Sequence, residues 1–136
     1  MIEQKDFKRD SKLNLLFLAN FALCLLVGIK YLILKEISTA TCWISASSLW
    51  FINFSWRSLN PFLRITQEEL IIFRSALLKP KKIKWETIKE IDEKGAFSFK
   101  LILTNGKKIK ISWMEFNKDD RKNIIPTIKE ILNNKL

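Results

Sequence analysis

Two long apolar runs follow one another near the start of the chain, Leu13 to Leu34 and Ile37 to Trp56, and alternating patterns replace them beyond Arg57. The first run has 22 residues and one charge, Lys30. As a helix it extends about 33 Å, enough to cross a hydrocarbon core of roughly 30 Å. The second has 20 residues, no charge and several Ser and Thr. At about 30 Å it is just long enough to return. A membrane hairpin over 13–56 is therefore expected, as helices 13–34 and 37–56. Thr41, Ser45 and Ser48 fall on one helical stripe, which should meet Ala19 and Ala22, while Asn20 and Asn53 should bond across the hairpin. Trp50 is assigned to helix packing.

A secretory signal fits poorly. The apolar run is long, no small-residue cleavage pattern follows it, and a second run comes at once. Lys5, Lys8, Arg9 and Lys12 precede the hairpin, its turn holds only Lys30 and Lys35, and the chain after Trp56 is rich in both cations. Cytoplasmic flanks carry the excess of Lys and Arg, so both termini are expected in the cytoplasm of an inner (plasma) membrane protein. Residues 1–12 then form a cytoplasmic tail, 57–136 a cytoplasmic domain, and Arg57 to Pro61 a short linker.

Within that domain, Phe97, Phe99, Leu101 and Leu103 point one way and Ser98, Lys100, Ile102 and Thr104 the other over Ala96 to Thr104, which predicts a strand. Asn105-Gly106 predicts a tight hairpin into a second strand over Lys107 to Trp113. Phe62 to Thr66 and Leu70 to Ser75 read as a shorter pair around the glycine-free turn Gln67-Glu68-Glu69. Lys82 to Trp85 alternates too, but Trp85, Ile88 and Ile91 recur every third residue. A bend near Glu86-Thr87 is therefore expected, with Trp85 as a core plug and a strand ending near Asp92. Ile124, Ile125, Ile128, Ile131 and Leu132 form one face of a terminal helix over Asn117 to Asn134, where Pro126 should kink or restart it.

Charge adds a location to this pattern. Of a net +10, residues 57–136 hold +8, from 18 Lys or Arg against 10 Asp or Glu. Chemistry is sparse. The chain has no histidine, and its two cysteines, Cys24 and Cys42, both lie in the hairpin at depths too different for a disulfide. The usual zinc ligands and catalytic bases are missing, so neither an enzyme nor a metal or other cofactor is expected.

The hairpin, then Asn60-Pro61-Phe62-Leu63-Arg64-Ile65-Thr66 with Glu69-Leu70-Ile71, then Ile83-Lys84-Trp85-Glu86-Thr87-Ile88-Lys89-Glu90-Ile91, a strand hairpin and a final helix, resembles the small bacterial inner-membrane proteins with a pleckstrin-homology-like (PH-like) domain. The resemblance covers most of the chain. It implies an α+β membrane protein whose bent antiparallel sheet forms a half-open barrel closed at one end by the terminal helix, without enzymatic activity. Lipid-binding eukaryotic members carry basic residues around the first strand hairpin. Here the corresponding turn reads Gln67-Glu68-Glu69, so that site is not transferred.

Two basic clusters are candidate contacts with lipid or a partner: Lys79, Lys81, Lys82 and Lys84, and Lys107, Lys108 and Lys110. Each Lys near an anionic leaflet contributes about 1 kcal/mol, whereas the plainer role of such lysines is to solvate sheet edges. Leu77 and Leu78 precede the first cluster, either as interfacial anchors or as core residues. Ile71 and Phe73 oppose Leu70 and Ile72, so something should cover them: the hairpin, a second copy or another protein. Nucleic acid is disfavoured, because Phe97, Phe99 and Trp113 are expected to point inward, away from the lysines. The expected function is a membrane-anchored adaptor whose domain binds a protein, oriented by inner-leaflet lipid. The alternatives are an immunity protein against an interbacterial toxin and a scaffold subunit of a membrane complex.

Overall fold

The computed structural model describes residues 3–135. Among them are β1 (Lys5–Phe7), α1 (Ser11–Ile33), α2 (Ile37–Leu59), β2 (Leu63–Ile65), β3 (Glu69–Ile72), β4 (Lys81–Lys84), β5 (Ile88–Asp92), β6 (Ser98–Leu103), β7 (Lys108–Ser112) and α3 (Lys118–Lys135). Short 3-10 turns occupy Trp85–Thr87 and Trp113–Glu115. The fold is mixed α+β. Its strands form two antiparallel sheets, ordered β1-β2-β3-β4 and β5-β6-β7.

The first strand lies where the sequence pointed to a free tail. Lys5, Asp6 and Phe7 pair with Ile65, Arg64 and Leu63, so β1 and β2 are neighbours with the whole helical hairpin inserted between them. Three residues are too few to show a period. What fixes β1 is Phe7, 1% exposed within the core, and the bidentate pair in which Arg64 Nε and Nη2 donate to Asp6 at 2.7 and 3.1 Å. The linker shrinks as well. Arg57 to Leu59 are the last residues of α2, and the strand register begins four residues later.

α1 and α2 pack closely along much of their length, through Phe17 on Trp50 and Phe21 on Phe51 at ring separations of 5.3 and 5.1 Å. Gly28 sets the closest approach, since a Cβ there would stand 2.8 Å from Ile44 Cγ1. The buried positions of the pair are Cys24, Gly28, Ala40, Ser47 and, at the end of α2, Arg57, not the expected stripe. Thr41, Ser45, Ser48, Ala19 and Ala22 are exposed. Thr41 and Ser48 donate to Ile37 O and Ile44 O of their own helix, and Asn53 Nδ2 donates to Leu49 O instead of Asn20. Self-satisfied polar groups need no partner helix. The turn closes through Lys35 at a φ of 60°, with Lys35 and Glu36 N–H donating to Leu32 O and Tyr31 O.

In the β domain the three-residue spacing of Trp85, Ile88 and Ile91 is the 3-10 turn Trp85–Thr87 leading into β5. Trp85 is buried and its indole N–H donates to Thr66 O at 2.9 Å. The glycine-free turn at 67–68 is held by Thr66, whose hydroxyl donates to Glu69 O and accepts from Glu69 N–H. Gly106 carries the positive φ, 82°, that its turn requires. Helix α3 runs unbroken through the exposed Pro126, with Ile124, Ile128 and Ile131 buried on the opposite face. One expected core residue is displaced. Phe97 precedes β6 in a turn so tight that a Cβ on Gly95 would lie 2.4 Å from Ser98 O, and its ring is 78% exposed.

Phe7→Ala should lower stability by about 3 kcal/mol or more, the usual range for a truncated core phenylalanine. Thermal denaturation of the full-length chain in detergent measures it. A residue in a free tail would leave the midpoint unchanged.

Candidate functional site

Strand register places the residues singled out in the sequence. Leu63 pairs with Ile72 and Ile72 with Lys81, so these three lie at the end of the first sheet where the hairpin attaches. Glu69 and Lys84 lie at the other end. Leu77, Leu78 and Lys79 belong to the connection 73–80, which leaves β3 and returns to β4 at the hairpin end. Both leucines are exposed, 83% and 59%, so the alternative of core packing does not apply. Lys79, Lys81, Lys82 and Lys84 are exposed too, and Lys82 reaches Glu69 at 3.5 Å.

Lys107, Lys108 and Lys110 belong to the other sheet and are also exposed. The two clusters stay apart, one on β4 and one on β7, each an edge strand of its own sheet. Ile71 and Phe73 are half-buried. Ile71 sits opposite Arg64 and Lys82, and the Arg64 guanidinium lies 5.4 Å from the centre of the Phe73 ring, so neighbouring strands supply part of the expected cover.

A denser site lies where hairpin and sheet meet. Glu115 Oε2 accepts from Arg57 Nη2 at 2.8 Å and from Arg9 Nη1 at 3.2 Å. Two cations thus share one carboxylate oxygen. Arg9 Nη2 also donates to Phe73 O, and the guanidinium lies between Trp56 and Phe62, 5.2 and 5.0 Å from their ring centres. Arg57 lies 4.5 Å from the Phe17 ring centre and its Nε donates to Asn14 Oδ1 at 3.3 Å. The backbone joins in, with an Arg9–Phe116 bridge and Asp10 N–H donating to Glu115 O at 3.0 Å.

Electrostatics follow from this crowding. Burial first and the Arg57 charge second pull the Arg9 guanidinium down to about 10, against the pull of Glu115, so it remains protonated at neutral pH. Arg64 moves the other way, raised chiefly by its hydrogen bond to Asp6. Beside the cluster opens a cleft of about 270 Å³ whose walls include Lys8, Asn14, Ser58, Asn60 and Arg64.

One signal for this site is present in the sequence. Arg9 is the single arginine among the lysines before α1, and arginine is the residue suited to buried, stacked, forked contacts. The acidic turn at 67–69 joins β2 to β3, so it is the second strand connection; the first is the hairpin itself.

Among the described residues no group of three His, Cys, Asp or Glu is placed to hold a metal, and both cysteines are free thiols, Cys24 buried and Cys42 exposed. The junction binds elements together and has the chemistry of a structural lock. No known protein family, curated protein or solved structure matches the chain.

Glu115→Ala should cost about 3 kcal/mol, the low end for breaking a buried ion pair because the carboxylate is partly exposed. Adding Arg9→Met, which removes one stranded charge, should restore part of that loss. Denaturation midpoints of the single and double variants measure both effects.

Proposed function

We propose that this chain is a non-enzymatic, membrane-anchored interaction protein, with α1 and α2 crossing the inner membrane as a hairpin and a PH-like domain at the inner leaflet binding a protein partner. The observation that carries this reading is the insertion of the hairpin between the paired strands β1 and β2. α1, at 23 residues and a mean hydropathy of 2.1, is the one helix among the described residues long and apolar enough to cross a membrane. Because its two flanking strands pair, a chain that leaves through α1 must come back through α2. The weaker span is drawn along by the stronger. Thr41, Ser47, Ser48, Asn53 and Ser58 all donate to carbonyls of α2 itself, which lowers their cost in hydrocarbon.

Large apolar side chains face outward from both helices, among them Leu16, Leu26 and Ile33 of α1 and Ile37, Leu49 and Ile52 of α2. Such surfaces are rare in contact with water. With Lys and Arg crowded at the two hairpin ends, both termini belong in the cytoplasm. Seven strands in meander order, split into four and three, with α3 packed on their shared core, support the PH-like form. The absence of histidine supports a binding role over catalysis. The end of the domain away from the hairpin stays open to solvent. Its exposed Lys107, Lys108 and Lys110 suit an acidic protein surface.

Cysteine labelling in intact cells tests the topology. With Cys24→Ala and Cys42→Ala as background, a Lys35→Cys variant should react with an impermeant maleimide from outside, and a Lys107→Cys variant only after permeabilisation. The reverse pattern would overturn the assignment.

Affinity capture of the full-length chain from its native membrane tests the function. One protein partner should be recovered, and lost from the Lys107→Glu, Lys108→Glu, Lys110→Glu variant while the chain stays in the membrane. A set of membrane-complex subunits would favour a scaffold, a single secreted toxin an immunity protein, and no partner would remove the adaptor reading.

A further inference from the structure

Beyond the helical hairpin, four large apolar side chains are exposed among the described residues: Leu77 at 83%, Leu78 at 59%, Phe97 at 78% and Met114 at 59%. All four lie in chain connections, and the pairing places those connections at one end of the domain. In the first sheet, Phe7, Leu63, Ile72 and Lys81 align at the hairpin end. The connection holding Leu77 and Leu78 starts there, pinned at Phe73, whose N–H donates to Phe62 O and whose carbonyl accepts from Arg9.

In the second sheet, Ser98 pairs with Ser112, and Trp113 N–H donates to Phe97 O at 3.0 Å. Phe97 and Met114 therefore flank the turn that delivers Glu115 to Arg57 at the end of α2. The opposite end is different. Its turns hold Gln67 and Glu68, Glu86, and Asn105 with Gly106, and among the described residues no large apolar side chain is exposed there.

Lysines occur at both ends, with Lys84, Lys107 and Lys108 exposed at the far one, so the apolar side chains and not the charge distinguish the hairpin end. Lys79, Lys81 and Lys94 are exposed in or beside the connections at the hairpin end. Of the acids there, Glu93 is paired with Lys129 at 2.7 Å and Glu115 with two arginines, while Asp92 ends β5 and Asp119 and Asp120 open α3. Glu68 and Glu86 sit at the far end.

We propose that Leu77, Leu78, Phe97 and Met114 form a rim that inserts into the interfacial layer of the bilayer crossed by the hairpin, with Lys79, Lys81 and Lys94 on anionic headgroups. This rests on the membrane-spanning reading given above. Neither feature suffices alone, because a few apolar side chains or a few lysines bind a membrane weakly and reversibly. Attached to a membrane hairpin they act at very high local concentration, and together they fix a tilt. The rim makes the domain stand on the leaflet with its far end toward the cytosol.

The test uses the full-length chain, with Cys24→Ala and Cys42→Ala, in vesicles of phosphatidylcholine and phosphatidylglycerol. Single cysteines at positions 26, 77, 97 and 107 carry an environment-sensitive fluorophore, and lipids brominated on their acyl chains quench it. Emission at 26, 77 and 97 should fall by a third or more, and emission at 107 should hardly change. Quenching at 26 without quenching at 77 and 97 would overturn the rim and leave the hairpin reading intact. No quenching at 26 would overturn the membrane-spanning reading and the rim with it. Quenching at 107 as strong as at 77 would show a domain lying without the proposed orientation, and would also overturn the rim.

Discussion

The pairing of β1 with β2 is the constraint on which the rest of the molecule depends. Adjacent strands lie about 4.8 Å apart, and packed antiparallel helices have axes about 8–10 Å apart. The hairpin therefore presents its two ends at nearly the spacing a sheet requires. Closing so long a connection would be entropically costly for a flexible chain, yet here the helices perform the closure themselves. Each part then supports the other. The helices bring Phe7 to Leu63, and the strands hold the helix ends together at the junction.

Arg9, Arg57 and Glu115 make that junction rigid. One carboxylate joins Arg9, two residues before α1, the last turn of α2 and the 3-10 turn after β7, three segments far apart in sequence. The aromatic rings of Trp56, Phe62 and Phe17 take the place of water around the guanidinium faces. Such an arrangement is intolerant of partial loss, because a buried guanidinium without its anion has nothing to replace it. Rigidity at this point matters for function. A domain fixed at both ends of a hairpin cannot turn freely about it, and on the membrane-spanning reading proposed above the same end would always face the leaflet.

Long periodic segments were legible from residues alone. The hairpin helices, the Asn105-Gly106 turn, the strands around it, the bend after Trp85 and the isoleucine face of α3 each carry many residues that repeat one physical preference. β1 was not legible, because its three residues have no period and its partner strand lies beyond the hairpin. Phe97 continued an alternation that the Gly95–Ser98 turn cuts short. The helix interface departs from the expected stripe for a related reason. Hydroxyl side chains look like interhelical contacts in sequence, but their own backbone satisfies them, and Gly28 admits Ile44 instead.

The candidate surfaces divide in the same way. Lysine clusters and a pair of leucines before Lys79-Pro80 were visible as composition, since charge and apolarity belong to residues. That Leu77, Leu78, Phe97 and Met114 share one end of the domain, while Lys107, Lys108 and Lys110 lie on a separate sheet, depends on strand register. The sequence by itself determined the apolar hairpin, its basic flanks and the strand-forming chemistry of the second half, because these are sums of local preferences. Only the tertiary structure decided that the tail joins the sheet, that Arg9 and Arg57 meet on Glu115, and which end faces the hairpin, because each is a contact between segments whose separation no local pattern encodes.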